Sequence, residues 1–451
     1  PFKEGYLQAP PSDHFDGHSQ PTETGTKYKP LELIPGLNVG GFFDAGDFDI
    51  ETGSVIGLVQ SLVNMWDLHK PMRDETFIDE EQRYVDIHRP DGKPDILQFI
   101  EHGTLNILAQ AENIGFMATT LSNSVLDNYH HLGDAATITD GLHYDPSLKP
   151  YEISADGLSS GTPDDMWAFT GRDPNLDYRA ATVLAAAGRV LRGFNDDIAN
   201  RSLRESKRLM DEAGKLLAKI DKSKLAEPDT SILSSHPHHY RGEVGDISTY
   251  LQLYVATGEK QYRDQFLQTI WPALDKNVRL FLPTALDAVP NMDESYRDKL
   301  RPYIEKYKAY CQSLAKDNPY GVPIGLDSWA GTGGLVYYGS TVGLASTYYP
   351  DIIDKSFACK VADYLFGCHP YHNYSLVAGV GNRQKNVFYG NNRADYAAIP
   401  GNMAPGLLFH KPDFFENQDN SGFIWAENEG TIANNAAYLN FGMVFKSLVE
   451  Q

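Results

Sequence analysis

The sequence predicts an all-α protein, a closed array of paired helices. Apolar residues recur at three- and four-residue spacing through most of the chain, no run of strands joined by hairpin turns is visible, and no fixed-period repeat indicates a solenoid. The periodic segments are 52–69, 94–122, 178–195, 201–220, 245–257, 260–275, 294–316, 338–348, 352–367 and 429–448. The clearest is the stripe Ile96, Leu97, Ile100, Ile107, Leu108, Ala111 and Ile114, opened by Pro94 and Asp95, because proline is preorganised for a helix start and one apolar face then seeks a core. Residues 1–43 read as loop, punctuated by Pro10, Pro11, Pro21, Pro30 and Pro35. Between the helices lie long polar stretches at 123–177, 221–244, 318–337 and 369–426. They exceed what joining helices requires, so they are expected to carry function, with room for a short strand at Tyr374–Val380.

Composition narrows the partners. The chain has 451 residues, 41% hydrophobic and 22% charged, enough for a substantial core. Its 60 acidic against 39 basic residues give a formal charge of −21, which repels phosphate backbones and anionic membrane surfaces and argues against nucleic acid as a partner. A neutral polymer, a sugar or a cationic ligand suits this field, as does plain solubility. No apolar run approaches the length of a membrane span. Cys311, Cys359 and Cys368 lack the spacing of a zinc site and read as reduced thiols. A first residue of proline, without an initiator methionine, suggests a longer natural protein.

Two stretches carry candidate chemistry. In Gly40-Gly41-Phe42-Phe43-Asp44-Ala45-Gly46-Asp47, two carboxylates stand three residues apart around a turn of small residues, so both can face one water molecule, as a general base and its helper would. A calcium loop that also uses Asp49, or a plain turn before the helix at 52, fits the same residues. In Trp425-Ala426-Glu427-Asn428-Glu429-Gly430-Thr431-Ile432-Ala433-Asn434-Asn435-Ala436, Glu429 falls where the last helix begins. It reads either as an acid complementing the helix dipole or as a general acid, and the second role needs burial against Trp425 or Phe423 to raise its pKa.

Together the two stretches resemble the catalytic signatures of glycoside hydrolase family 9. Gly40, Gly41 and Asp44 to Asp47 match the family's Asp-Ala-Gly-Asp after a glycine pair. Asn428, Glu429, Ile432, Asn435 and Ala436 match its Asn-Glu stretch. Pro94 to Leu97, Asp177 to Leu191, Asp363 to Pro370, Ser375 and Gly379 to Gly381 continue the likeness, so it spans roughly residues 40 to 445. The resemblance implies an (α/α)6 barrel over 40–451 with long cleft-forming loops, preceded by a loop or linker at 1–39, and with the first barrel helix absent before residue 40.

It further implies an inverting hydrolase in which Asp47 is the base, Asp44 its partner in holding water, and Glu429 the acid. Arg393 resembles the arginine that ends the family's His-His-Arg sugar-binding motif. Asn391 and Asn392 replace the two histidines, and Trp425 stands where cellulases of the family usually have tyrosine. Trp167, Trp329 and the cluster His236 to Tyr240 are further candidates for sugar stacking or for plain loop anchoring. The substrate expected is a β-1,4-linked glucose oligo- or polysaccharide. In these departures at 391, 392 and 425 the chain resembles an exo-acting branch of the family that commonly carries an upstream immunoglobulin-like domain, which makes exo-β-D-glucosaminidase action on chitosan-type oligosaccharides the rival. A non-catalytic carbohydrate-binding barrel ranks last, because both signature acids are present. This chemistry requires no cofactor or metal, and a structural calcium ion remains compatible with the acids at 44, 47 and 49.

Overall fold

A computed structural model describes residues 5–15, 18–45, 49–82, 84–123, 140–219, 245–324, 331–368, 374–387, 399–406, 409–410, 415–416 and 425–450. Helix dominates these residues, as the periodicity requires, and they divide into two compact units. The first runs from the start of the chain through residue 220. The second takes up 67–69, 221–390 and 395–451.

In the first unit, α1 (Thr52–His69) and α2 (Asp95–Asn113) follow the expected apolar stripes, with Ile100, Ile107 and Leu108 fully buried. Next come α3 (Pro174–Val190) and α4 (Asp196–Leu217), each with a side-chain cap. Asp173 accepts from the Asn175 amide at 2.9 Å, ahead of a proline at the first helical position, and Asn195 accepts from Ile198 at 3.2 Å. The alanines of α3, all buried, let α4 approach closely: a Cβ on Gly188 would lie 2.9 Å from the Ala199 carbonyl oxygen. Arg208 of α4 donates to the carbonyls of Ala111 and Gly115, both at 2.8 Å. It thereby satisfies acceptors that the end of α2 leaves without intrahelical partners.

Sheet structure departs from the sequence reading. The stretch read as loop holds β1 (Tyr6–Gln8), β2 (Ser12–Phe15) and β3 (His18–Gln20). With β4 (Ile50–Glu51), β5 (Phe77–Asp79), β6 (Tyr84–Asp86), β7 (Thr120–Asn123), β8 (His143–Tyr144), β9 (Ser159–Ser160) and β10 (Met166–Phe169), the unit builds a four-stranded sheet of order β1-β10-β7-β4 and several two-stranded ribbons. β1 pairs in parallel with β10, Leu7 opposite Trp167, and Leu7 is fully buried. Strands of two to four residues carry no readable alternation, and those of the four-stranded sheet take partners far away in sequence, so local pattern could not reveal them.

The second unit is helical: α5 (Gly245–Thr257), α6 (Lys260–Lys276), α7 (Val278–Ala288), α8 (Glu294–Asp317), α9 (Thr332–Tyr348), α10 (Ser356–Leu365), a short α11 (Trp425–Asn428) and α12 (Ile432–Val449), with the ribbon β11 (Phe409–His410) and β12 (Phe415–Glu416). Its core gathers Phe266, Ile270, Phe281, Leu300, Val342 and Phe441. Helix α7 was not among the expected segments. Pro283 interrupts its sequence, and only Asn277 separates it from α6, ending one helix and capping the next by accepting from Leu280 at 3.2 Å. Burial of Phe281, Leu282, Ala285 and Leu286 offsets the proline's cost. Helix α12 lies against α9 across two glycines, where a Cβ on Gly339 would come within 2.6 Å of the Phe441 ring and one on Gly343 within 2.4 Å of Val444.

Candidate active site

In the first unit the Gly40-Gly41 pair is fixed by close backbone approach to α2. Gly40 has φ +57°, and a Cβ there would lie 2.2 Å from the His102 carbonyl oxygen, so only glycine fits. The Gly41 amide donates to that same carbonyl at 3.1 Å. Phe42 packs edge-on to the His102 ring with centroids 5.0 Å apart, and His102 Nδ1 is 2.6 Å from Glu80 Oε1. The Asp44 amide donates to the Asp49 carbonyl at 3.0 Å, and Ile50 then enters β4 opposite Leu121. Asp44 is half-buried; Asp47 lies outside the described residues.

In the second unit Glu429 does not sit on the last helix. The N-cap of α12 is Thr431, which accepts from the Asn434 amide at 3.3 Å, so Glu429 precedes the helix by two residues before the cap. This moves it away from the amide groups whose partial charge would hold a carboxylate ionised. Glu429 is half-buried between Asn428, 1% exposed, and a buried Gly430. Asn435, one turn into α12, holds the segment to the loop before it. Its side chain donates to Asn402 Oδ1 at 2.7 Å and to the Thr431 carbonyl at 2.8 Å, and accepts from the Met403 amide at 2.8 Å. The neighbouring strand-like loops join the same scaffold, with Val377 bridged to Met403 and the Ala404 amide donating to Leu376 at 2.8 Å.

One pair beneath this segment was not anticipated. Glu427 and Lys385, 1% and 0% exposed, form a buried ion pair that ties the glycine loop at 379–381 to the stretch bearing Glu429. Among the described residues neither Glu427 oxygen has a further hydrogen-bond partner. Glu427 carried a weak sequence signal, as the acid nearest Glu429; Lys385 carried none. Trp167, expected in a loop, lies in β10 and is half-buried, with its ring 6.5 Å from Phe169. The backbone of Trp425 opens α11. Arg393, Asn391, Asn392, Trp329 and the His236 to Tyr240 cluster lie outside the described residues.

Comparison with known proteins agrees with the motifs. The profile of glycosyl hydrolase family 9 matches residues 162–441, a stretch that contains Asn428 and Glu429. No curated protein sequence matches the chain. Among solved structures, the Bacteroides ovatus GH9 protein has a TM-score of 0.65 at 17% identity, over 99% of this chain and 76% of that one. A thermostable endoglucanase (D468A mutant) from Alicyclobacillus acidocaldarius has 0.63 at 16%, over 100% and 82%. The endoglucanase of the termite Nasutitermes takasagoensis has 0.56 at 14%, over 91% and 89%. The fold class these structures share with this chain is the all-α (α/α)6 barrel.

Proposed function

The chain belongs to glycosyl hydrolase family 9, an inverting family of O-glycosyl hydrolases, and from that premise we propose that it cleaves β-1,4-linked glucose units with Asp47 as base and Glu429 as acid. The observation carrying this reading is the family match across Glu429, on a segment held in place by Asn435 and the Lys385–Glu427 pair. Inversion needs a water on the face opposite the leaving group. Asp47 takes its proton, Asp44 helps orient it, and Glu429 protonates the departing oxygen. An inverting mechanism of this kind requires roughly 6.5 to 9.5 Å between its two carboxyl groups. Arg393, Asn391, Asn392, Trp425 and Trp329 are assigned to the sugar.

A second reading, exo-cleavage of glucosaminides, is favoured by Asn391 and Asn392 in place of the paired histidines and by Trp425. A glucosamine ammonium would need a carboxylate beyond the catalytic set, because a cation stripped of water without a partner is strongly disfavoured. The deciding experiment compares kcat/KM and product profiles on cellotetraose and on the glucosamine tetramer, with the product anomer followed by NMR. Release of α-configured products from cellotetraose at the higher kcat/KM supports the first reading. Preference for the glucosamine tetramer, lost on acetylation, selects the second, and β-configured products would reject the inverting assignment.

A further inference from the structure

Three side chains from two distant stretches converge in the first unit. They are His18 at the start of β3, Asp49 just before β4, and Glu51 at the end of β4. One ligand atom from each lies within 4.8 Å of the other two, and His18 Nε2 is 3.2 Å from Glu51 Oε1. Asp49 is only 5% exposed, whereas the His18 and Glu51 side chains are 19% and 32% exposed, so an ion has a way in. The His18 ring is 5.4 Å from that of Phe169, an apolar wall on the imidazole. Two carboxylates held this close repel each other. A protonated imidazole offsets one negative charge at most, whereas a divalent cation offsets two and uses the neutral imidazole as a donor.

We propose that His18, Asp49 and Glu51 form a divalent-cation site of the zinc class. One nitrogen and two carboxylate oxygens suit Zn2+, with water completing a tetrahedron, while Ca2+ takes oxygen donors in larger number. This differs from the calcium loop expected of Asp44, Asp47 and Asp49, since it shares only Asp49 and recruits a histidine from β3. Its consequence is mechanical. The Asp49 carbonyl accepts the Asp44 amide at 3.0 Å, so a cation gripping the Asp49 side chain also fixes the peptide from which Asp44 hangs. The ion positions Asp44 and takes no part in bond cleavage, and the inference stands whichever sugar is cut.

The test is metal binding by the purified full chain after removal of metals with a chelator. Calorimetric titration with Zn2+ alone should give one ion per chain and a raised Tm, and Ca2+ in equal amount should not displace it. H18A and E51Q, each checked for unchanged circular dichroism and metal-free Tm, should weaken Zn2+ binding by on the order of a hundredfold or more, beyond the loss typical of outer-shell partners. Should either variant misfold, Co2+ substitution in the unaltered chain serves instead, the visible spectrum of a four-coordinate site with a nitrogen donor being expected. Absence of stoichiometric binding, a Zn2+ that survives H18A but is lost in D44N, or ready displacement by Ca2+ would each overturn the proposal.

Discussion

At the scale of single residues, the two signature acids can be told apart by what the leaving group demands. E429Q should lose about 10²- to 10⁴-fold in kcat/KM on cellooligomers, whose sugar leaving groups need a proton, yet keep most of its activity on aryl glycosides with acidic phenols. D47N should damage both substrates alike. Equal losses for E429Q on the two would place the acid elsewhere. Glu427 is a poor alternative, being buried and engaged with Lys385. That pair makes its own prediction: K385M leaves a carboxylate buried without its cation and should cost about 3–5 kcal/mol. K385M combined with E427Q should be more stable than K385M alone, because neutralising the orphaned charge removes the penalty. A double-mutant cycle in thermal or urea unfolding measures this, and additive losses would mean that the two side chains do not interact.

At the scale of elements, the contact between α9 and α12 decides where the Glu429 segment is anchored, since α12 carries Asn435 and begins just beyond it. Glycines on the two helices should respond oppositely to alanine. At Gly339 a Cβ meets the Phe441 ring at 2.6 Å, so G339A should be destabilised by about 1–3 kcal/mol through overpacking. At Gly442 a Cβ meets nothing within 4 Å, and G442A should gain about 0.5–1 kcal/mol from helix propensity. Urea midpoints of the two variants test this. A gain for both would show that α12 can shift away from α9. The elements were unequally legible in sequence. Helices α1, α5, α6 and α8 begin at the positions the periodicity gave and end within a residue of them, whereas Pro283 hides α7 and the last helix begins three residues after Glu429, behind its cap Thr431.

At the scale of the molecule, pH dependence follows from buried acids. Asp165, fully buried, accepts the Gly5 amide at 2.6 Å and the Tyr144 amide at 2.7 Å, pinning the start of β1 to the chain before β10. Burial outweighs these two bonds and pushes its carboxyl up to about 7; burial likewise raises Asp177 to about 6 against the opposing Met117 amide and Arg172. A carboxyl raised on folding binds its proton more tightly in the native state. Its contribution to stability is therefore fullest below the ordinary carboxylate range and is lost as pH rises through the folded value. For Asp165 the span is worth about 4 kcal/mol at most between pH 4 and 7. D165N offers one oxygen to two donors and should cost about 1–3 kcal/mol at pH 5, but with a flatter pH profile, so the gap to the unaltered protein narrows at pH 8. Urea unfolding at the two pH values checks this, and a constant gap would show that Asp165 is ionised throughout.

The sequence by itself determined the helical class, the presence of most helices and the family, because a helix is written in contacts three and four residues apart and the signature acids stand in short unbroken motifs. It also supplied the identity of Asp44 and Glu429 as candidates, since residue type and spacing are what those motifs consist of. Only the tertiary structure decided the rest. The pairing of β1 with β10 joins Leu7 to Trp167, the Lys385–Glu427 pair forms where a glycine loop meets the stretch before the last helix, and His18 reaches Asp49 and Glu51 from another strand. Each of these joins segments with no local pattern in common, and what selects the partners is the burial and charge balance of the folded chain, which no window of sequence contains.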